Sequence, residues 1–214
     1  MTEFEKKALL SKEEYELLAK RFCRSPGASC ALPSVEQTNY YFDTDDYAMN
    51  RRNITCRIRR KNGSYQGTMK LHEASGERST ELEVTVRSGI SDNAFIDLGL
   101  KLQGTLTTHR CVLQKEPYCE VILDRNTYLG TSDYELEIEY QPAAEKEAQT
   151  IYRELLDLLP RRRSHAAYAE SEKEEPHTPS KSNRFFTRKA ADSANRRQSG
   201  DRSSAPQLPE ISNS

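Results

Sequence analysis

Charged side chains occupy alternate positions in several short segments of this sequence. The opening segment EFEKK places Glu3, Glu5 and Lys7 two residues apart, with Phe4 and Lys6 between them. Because successive side chains of a β-strand point to opposite faces, charges at every second position would share one face of a sheet. The same alternation recurs at four further places: Arg57 and Arg59; Thr68 and Lys70; Glu81 and Glu83; and Glu135, Glu137 and Glu139.

A charged face on a single strand is most simply explained by solvent, because an antiparallel sheet can expose one face to water. Five such strands favour another arrangement, in which about eight strands close into a barrel with the charged faces inside. Removing charged side chains from water costs several kcal/mol each. Such an interior should therefore contain water and bind a charged ligand. Carboxylates bind hard cations such as Mg²⁺ and Mn²⁺, whereas Arg and Lys bind phosphate oxygens. Together the two sets predict a metal–polyphosphate site.

The hydrophobic pattern predicts a mainly β (α+β) domain, a closed eight-stranded antiparallel barrel with helices packed outside. Ser11 and Glu14 form the capping-box pattern that opens a first helix. A short helix is expected near 91–98, a longer one over 143–159, and a last short one after Ser164. Strands are predicted near 2–9, 38–44, 53–60, 65–72, 79–87, 106–114, 118–124 and 133–141.

The composition limits the classes of function. The 32 basic and 33 acidic residues give a net charge of −1, which shows no bias toward nucleic acid. No apolar run approaches the roughly 18 residues of a membrane span, and the start of the chain lacks the pattern of a secretory leader. The five cysteines are odd in number and have no CxxC spacing, which favours reduced thiols. A cytoplasmic protein without a membrane or specific nucleic-acid partner is therefore expected, as a monomer or a homodimer.

Residues 172–214 differ in composition from the rest of the chain. They are rich in Ser, Pro, Arg and Asn, and they carry 8 basic and 6 acidic residues with scattered apolar side chains. Such a segment buries too little surface to offset the entropy of ordering it, which predicts a disordered tail after a domain of residues 1–171. The competing interpretation is that Phe185 and Phe186 dock on the barrel and that nearby arginines close one mouth of the tunnel.

Eight segments occur in a characteristic order: EFEKK, YYFDT, CRIRR, GTMKL, ELE, LTTHR, VILDRNTYLG and ELEIE. This ordered set resembles the CYTH superfamily, the triphosphate tunnel metalloenzymes. The resemblance covers about residues 1–170 and is strongest to bacterial stand-alone CYTH proteins. It implies an antiparallel eight-stranded tunnel with outer helices, which hydrolyses or cyclises triphosphates with a divalent metal.

The resemblance also implies a role for each matching residue. Many family members carry a lysine on the C-terminal helix, often after a serine, and here RRRSHAAYAE puts His165 in that place. His165 would bind substrate when protonated, or it is a surface histidine. Glu135 is expected at the rim of the tunnel. The implied metal ligands are Glu3, Glu5, Asp124, Glu137 and Glu139, and the implied catalytic set is Lys7, Arg57, Arg59, Lys70, Glu81, Glu83 and Arg110, in which the five cations also bind substrate.

A charge count leads to the expected mechanism. The seven acids and five bases of the implied set sum to −2, so a metal is expected to be needed before an anionic triphosphate is attracted. A metal-bound water would attack the terminal phosphorus of tripolyphosphate or a related small triphosphate, with Mg²⁺ or Mn²⁺ as cofactor. Two alternatives remain open: an adenylate cyclase of the class IV type, and a polyphosphate- or nucleotide-binding sensor module without catalysis.

Overall fold

A computed structural model of the chain describes residues 2–22, 34–73, 77–160 and 178–198. The helices are α1 (Lys12–Arg21), α2 (Ala48–Arg51), α3 (Ala94–Asp97), α4 (Glu145–Asp157) and α5 (Lys181–Gln198), with a 3₁₀ turn at Pro142–Ala144. The strands are β1 (Thr2–Leu10), β2 (Val35–Asp43), β3 (Ile54–Lys61), β4 (Ser64–His72), β5 (Arg78–Val84), β6 (Lys101–Glu116), β7 (Cys119–Tyr128) and β8 (Thr131–Tyr140).

The eight strands close into a barrel, which confirms the predicted fold. Their order around the barrel is β1-β5-β4-β3-β2-β6-β7-β8, and all neighbouring pairs are antiparallel. The first and last strands meet with Glu5 opposite Glu139 and Lys7 opposite Glu137. Directly opposed residues share a face, so this register brings the charged face of β1 to the charged face of β8 inside the barrel.

The apolar outer face of β1, β7 and β8 is covered by α1 and α4. The capping box predicted for α1 is present, because Ser11 Oγ accepts from the Glu14 N–H at 3.2 Å and Glu14 accepts from the Ser11 N–H at 2.7 Å. Leu18 of α1 and Ala148 of α4 are completely buried in the resulting core. The Tyr152 hydroxyl donates to the carbonyl oxygen of Lys7 at 3.0 Å, which ties α4 to β1. This packing fixes which face of β1 points inward.

The prediction of a disordered tail over 172–214 is wrong for residues 178–198. Ser180 caps α5 by accepting from the Asn183 N–H at 3.1 Å, and Phe185 and Phe186 are 0 % and 3 % exposed. The composition of the whole segment does not predict this helix, because its stability depends on a few apolar side chains that lie next to each other and contact one end of the barrel. The competing interpretation, that the two phenylalanines dock on the barrel, is the one the structure supports.

Phe185 and Phe186 fill one end of the barrel. The Phe185 ring lies 5.0 Å from the ring of Tyr41 and 6.3 Å from that of Tyr128, and Leu106 joins the same buried cluster. Gly104 makes room for Phe185, because a Cβ at this position would come within 2.8 Å of the ring. The first turns of α5 are therefore part of the barrel core.

Two smaller expectations concern membranes and thiols. No helix within the described ranges is both long and apolar enough to span a membrane. Cys56, Cys111 and Cys119 are free thiols and buried. The short helix expected after Ser164 lies outside the described residues.

Candidate functional site

The barrel encloses a cavity of about 500 Å³, counting the space that is open to solvent. Its wall contains six cationic side chains and four carboxylates together with the hydroxyl groups of a tyrosine, a threonine and two serines. The cations are Lys7, Arg57, Arg59, Lys70, Arg110 and Lys181, and the carboxylates are Glu3, Glu5, Glu137 and Glu139. Five of the cations and all four carboxylates are residues that the sequence assigns to the site.

On the β1 side of the cavity, two lysines and two glutamates form one ion-pair network. Lys7 Nζ lies 2.6 Å from Glu5 Oε1, and Lys70 Nζ lies 2.5 Å from Glu3 Oε2 and 3.8 Å from Glu5 Oε1. Burial alone would raise the pKa of Glu5, but Lys7 and Lys70 outweigh it and lower this pKa to about 2. Glu5 is therefore an anion at neutral pH.

On the opposite side, Arg110 binds three carboxylates. Its guanidinium lies 2.7 Å from Asp124 Oδ2 and 2.8 Å from Glu139 Oε1, and it also pairs with Glu137. The Glu139 side chain is 43 % exposed, whereas that of Glu137 is 4 % exposed. Burial raises the pKa of Glu139, Arg110 opposes this, and the nearby Glu137 carboxylate raises it further. Negative charge is thus concentrated around Glu139.

Lys181 is the one cation of the described cavity wall that is absent from the set predicted from the sequence. It is the first residue of α5, and its Nζ lies 2.5 Å from Glu137 Oε1 and 3.0 Å from both Asp124 Oδ2 and Glu135 Oε2. Burial would lower the pKa of Lys181, but these three carboxylates raise it instead, so the ammonium stays charged.

A sequence signal for Lys181 exists. The family resemblance implies a lysine after a serine on the C-terminal helix, and Lys181 follows the helix-capping Ser180 within the segment TPSKSN. The segment RRRSHAAYAE instead predicts His165 for that role, and His165 lies outside the described residues. Ser180 and Lys181 are absent from the predicted site because they fall in the segment for which the composition predicts disorder.

Two further expectations are corrected by the structure. Glu135 is not at the rim: it is 0 % exposed, and its carboxylate lies 2.7 Å from Arg184 Nη2 in addition to its contact with Lys181. Glu83 shares a face with Glu81, but it is exposed and does not line the cavity. Glu81 itself contacts two cations of the wall, at 3.0 Å from Arg57 Nη2 and 3.6 Å from Lys70 Nζ.

These corrections change the charge count. Removing Glu83 from the implied set and adding Lys181 leaves six acids and six bases, so the formal charge is zero rather than −2. Glu135 and Arg184 add one charge of each sign. The tunnel is therefore neutral rather than repulsive toward an anion before any metal binds.

A chain of hydroxyl groups links β3 and β4 to the start of α5. The Thr55 hydroxyl lies 2.9 Å from His72 Nε2 and 2.5 Å from Ser182 Oγ, which in turn lies 2.9 Å from Ser180 Oγ. Burial lowers the pKa of His72 to about 4, and the positive charge of Lys70 contributes. His72 is therefore a neutral hydrogen-bonding group at neutral pH, and it helps to hold the end of α5 from which Lys181 extends.

The donor set of the cavity fits a hard divalent cation, although the ligands are not preassembled. In the described part of the chain, no three His, Cys, Asp or Glu side chains are grouped closely enough to hold a metal ion. Glu3 and Glu139 are the least buried of the cavity carboxylates, at 37 % and 43 % side-chain exposure. Each has a single cationic partner, Lys70 or Arg110, within the described ranges. These oxygens match the ligands that Mg²⁺ and Mn²⁺ prefer, and they are the easiest to reorient.

Comparisons with known proteins agree with this geometry. The CYTH domain family model matches residues 1–167. A Bacillus subtilis (strain 168) protein named "Putative triphosphatase YjbK" is 32 % identical over 151 residues, which cover 64 % of this chain and 76 % of that protein.

Solved structures are similar as well. A Bacillus halodurans structure described as "a putative adenylate cyclase (bh2851)" aligns with a TM-score of 0.59 and 28 % identity over 86 % of this chain and 97 % of the other. The Hippeastrum protein HpAC1, described as a "putative adenylyl cyclase" with a dominant triphosphatase activity, has the same fold, with a TM-score of 0.52 and 16 % identity over 73 % of this chain and 86 % of the other. The chain belongs to the CYTH domain family.

Proposed function

We propose that this protein is a metal-dependent triphosphatase that hydrolyses inorganic tripolyphosphate or a related small triphosphate. The observation that carries the proposal is the cavity wall, in which six cations and four carboxylates face one enclosed space. Cations of this kind bind phosphoryl oxygens, and the carboxylates supply oxygen ligands for a divalent ion. The relative at 32 % identity carries the name "Putative triphosphatase YjbK", which supports the same class of activity.

We assign the chain's own residues to two tasks. Lys7, Arg57, Arg59, Lys70, Arg110 and Lys181 bind the triphosphate and offset the charge that develops on the leaving phosphate. Glu3, Glu5 and Glu139 would hold the metal, Mg²⁺ or Mn²⁺, which would supply Lewis-acid chemistry for the hydrolysis when bound. Asp124 and Glu137, which the family resemblance implies as metal ligands, instead fix Arg110 and Lys181 through the contacts described above.

Binding of substrate and metal would exchange partners within the site. In the absence of both, Lys70 is neutralised by Glu3 at 2.5 Å and Arg110 by Glu139 at 2.8 Å. If Glu3 and Glu139 turned to hold the metal, Lys70 and Arg110 would each lose one carboxylate partner, and phosphoryl oxygens could take its place. Arg110 would stay fixed by Asp124 and Glu137.

An adenylate cyclase is the second candidate because a similar structure is described as "a putative adenylate cyclase". Such an enzyme must hold adenine and ribose beside the triphosphate. Among Phe, Tyr and Trp, only Tyr41 lines the described cavity wall, and it is 1 % exposed and packed against Phe185 and Phe186. The imidazole of His72 also lines the wall and is hydrogen-bonded to Thr55. The described wall therefore offers no exposed Phe, Tyr or Trp ring on which a base could stack, which favours the triphosphatase.

The deciding experiment measures product formation by the purified full-length chain. Phosphate release is followed with Mg²⁺ or Mn²⁺ on tripolyphosphate, thiamine triphosphate and ATP, with cyclic AMP assayed in parallel. We expect phosphate release from at least one triphosphate that stops on chelation of the metal. Cyclic AMP as the main product would favour the cyclase, and tight tripolyphosphate binding without turnover would favour a sensor module.

A further inference from the structure

Arg59 differs from the other cations of the cavity wall. The other five each lie within 3.0 Å of a carboxylate oxygen, in the pairs Lys7–Glu5, Arg57–Glu81, Lys70–Glu3, Arg110–Asp124 and Lys181–Glu137. Among the residues that the structure describes, Arg59 has no carboxylate partner, and its Nε donates to the amide oxygen of Asn39 at 3.0 Å. Burial and the neighbouring guanidinium groups of Arg57 and Arg110 lower the pKa of Arg59 to about 10. Arg59 is therefore charged at neutral pH, and it forms no direct ion pair with a carboxylate of the described residues.

Asn39 is an unexpected partner for a buried guanidinium. It lies directly opposite Arg59 in the β2–β3 register and is only 1 % exposed. Because Arg59 Nε is a donor, the amide must turn its oxygen toward it, and Asn39 Nδ2 is left without a hydrogen-bond partner. A buried donor without a partner destabilises the fold. An aspartate of the same shape would accept the same bond, neutralise Arg59 and leave no unpaired donor.

We propose that Asn39 is a positioning residue that holds the Arg59 guanidinium in the cavity wall without neutralising it, so that a phosphoryl group of the substrate meets a full positive charge. The inference rests on the proposed triphosphatase function and names the pair that sets the affinity for substrate. Asn39 supplies the orientation that a carboxylate would supply, and its neutral amide leaves the charge of Arg59 available. Asparagine at this position therefore lowers the stability of the fold and raises the affinity for the triphosphate.

Other unpaired atoms support an acceptor-rich ligand in the barrel. Only three buried side-chain N or O atoms in the described ranges lack a hydrogen-bond partner, namely Asn39 Nδ2, Arg57 Nε and Ser79 Oγ. All three belong to residues on inward-facing positions, since Asn39 is opposite Arg59, and Ser79 is opposite His72, both of which line the cavity. Phosphoryl oxygens are acceptors, which is the property that unpaired N–H and O–H groups require.

The first test is a double-mutant cycle on stability and requires no substrate. Asn39→Asp, Arg59→Gln and the double variant are unfolded thermally at pH 7 and low salt. We expect Asn39→Asp to raise the melting temperature of the otherwise unchanged chain, because Arg59 is already desolvated and gains a counter-charge. In the Arg59→Gln background the same change should lower the melting temperature, because the buried carboxylate has no partner. A lower melting temperature for Asn39→Asp in both backgrounds would overturn the inference.

The second test measures hydrolysis kinetics in the same four proteins and in two more, Asn39→Ala and Asn39→Ala with Arg59→Gln. We expect Asn39→Asp to raise the KM for tripolyphosphate at least tenfold, about 1.4 kcal/mol, and to have little further effect once Arg59 is Gln. Asn39→Ala, which removes the orienting oxygen without adding charge, should also raise KM only when Arg59 is present. An equal rise in both backgrounds, or an unchanged KM, would show that Asn39 does not act through Arg59. A wild-type chain that neither binds nor hydrolyses tripolyphosphate would reject the proposed function, while the stability cycle would still decide the state of Arg59.

Discussion

Glu137 and Glu139 lie two residues apart on β8, and the structure gives them different surroundings. Glu137 is 4 % exposed and contacts both Arg110 and Lys181, whereas Glu139 is 43 % exposed and contacts Arg110 alone among the described residues. Burial would raise the pKa of Glu137, but Lys181 and Arg110 hold it well below its usual range. Two residues of one sequence motif therefore carry different tasks, one structural and one open to a ligand.

Glutamine substitutions should separate these tasks. Glu139→Gln should leave the melting temperature nearly unchanged and lower kcat/KM at least tenfold, because the loss falls on a proposed metal ligand at a half-exposed position. Glu137→Gln should lower the free energy of unfolding by on the order of 3 kcal/mol, because removing one partner of a buried ionic cluster leaves charge uncompensated. Phosphate release over a metal titration and thermal unfolding measure the two effects. Wild-type turnover by Glu139→Gln at every metal concentration would contradict its assignment.

His72 should make stability depend on pH in a defined window. The unfolded chain protonates this histidine near its ordinary pKa of 6.5, whereas the folded protein resists protonation until about pH 4. The stability contributed by neutral His72 is therefore complete above pH 6.5 and is lost as the pH falls toward 4. The pKa of Glu5 is about 2 in the folded protein instead of 4.5, so the stability that ionised Glu5 contributes is lost only below about pH 4.5.

Melting temperatures measured from pH 7 to pH 5 check this expectation. The wild-type chain should lose stability across that range, and His72→Gln should lose less, because glutamine can still hydrogen-bond Thr55 but does not titrate. Equal losses in the two proteins would show that His72 is not the group responsible.

At the scale of elements, the strands could be predicted from the sequence and α5 could not. The alternation of charged and apolar residues in β1, β5 and β8 is local, and it reports the inside and outside of a barrel directly. The helix α5 depends on contacts that are distant in sequence: Phe185 packs on Tyr41, and Lys181 pairs with Asp124. A composition averaged over a long polar segment cannot show that a few of its residues fit a particular barrel end.

Truncation tests the importance of α5, and the expected result reverses the one that a disordered tail would give. Deleting residues 178–214 should lower the free energy of unfolding by on the order of 3–5 kcal/mol and abolish activity, because Lys181 no longer compensates Asp124, Glu135 and Glu137. The matched control deletes only residues 199–214 and should keep the melting temperature and the activity of the full chain. The helix would be dispensable if the two truncated proteins behaved alike.

At the scale of the whole molecule, the barrel and most of the candidate site can be predicted from the sequence. The two-residue alternation along the strands places charged side chains inside the barrel and apolar side chains outside. What the sequence does not show is which charges compensate each other. The pairing of Lys70 with Glu3 and the unpaired state of Arg59 depend on registers between β1, β5, β4 and β3, which the period alone leaves open. The closure of one end of the barrel depends on α5.

This closure leads to a prediction about where a polyphosphate is cut. Along β8 the exposed fraction of the carboxylates rises from 0 % at Glu135, beside Arg184 of α5, through 4 % at Glu137 to 43 % at Glu139. Within the described ranges the cavity thus opens on the side of Glu139, and the opposite end is filled by Lys181 and Phe185.

A linear polyphosphate should enter with a terminal phosphoryl group first, while any attached nucleoside stays outside. Tetrapolyphosphate should therefore give orthophosphate and tripolyphosphate as its first products, and ATP, if it is a substrate, should give ADP and orthophosphate. Early time points resolved by ³¹P NMR measure this directly. Diadenosine tetraphosphate, which has no free terminal phosphoryl group, is the matched control and should resist hydrolysis. Pyrophosphate among the first products of tetrapolyphosphate, or cleavage of the doubly blocked compound, would show that the phosphate chain passes through the barrel or is cut at an internal position.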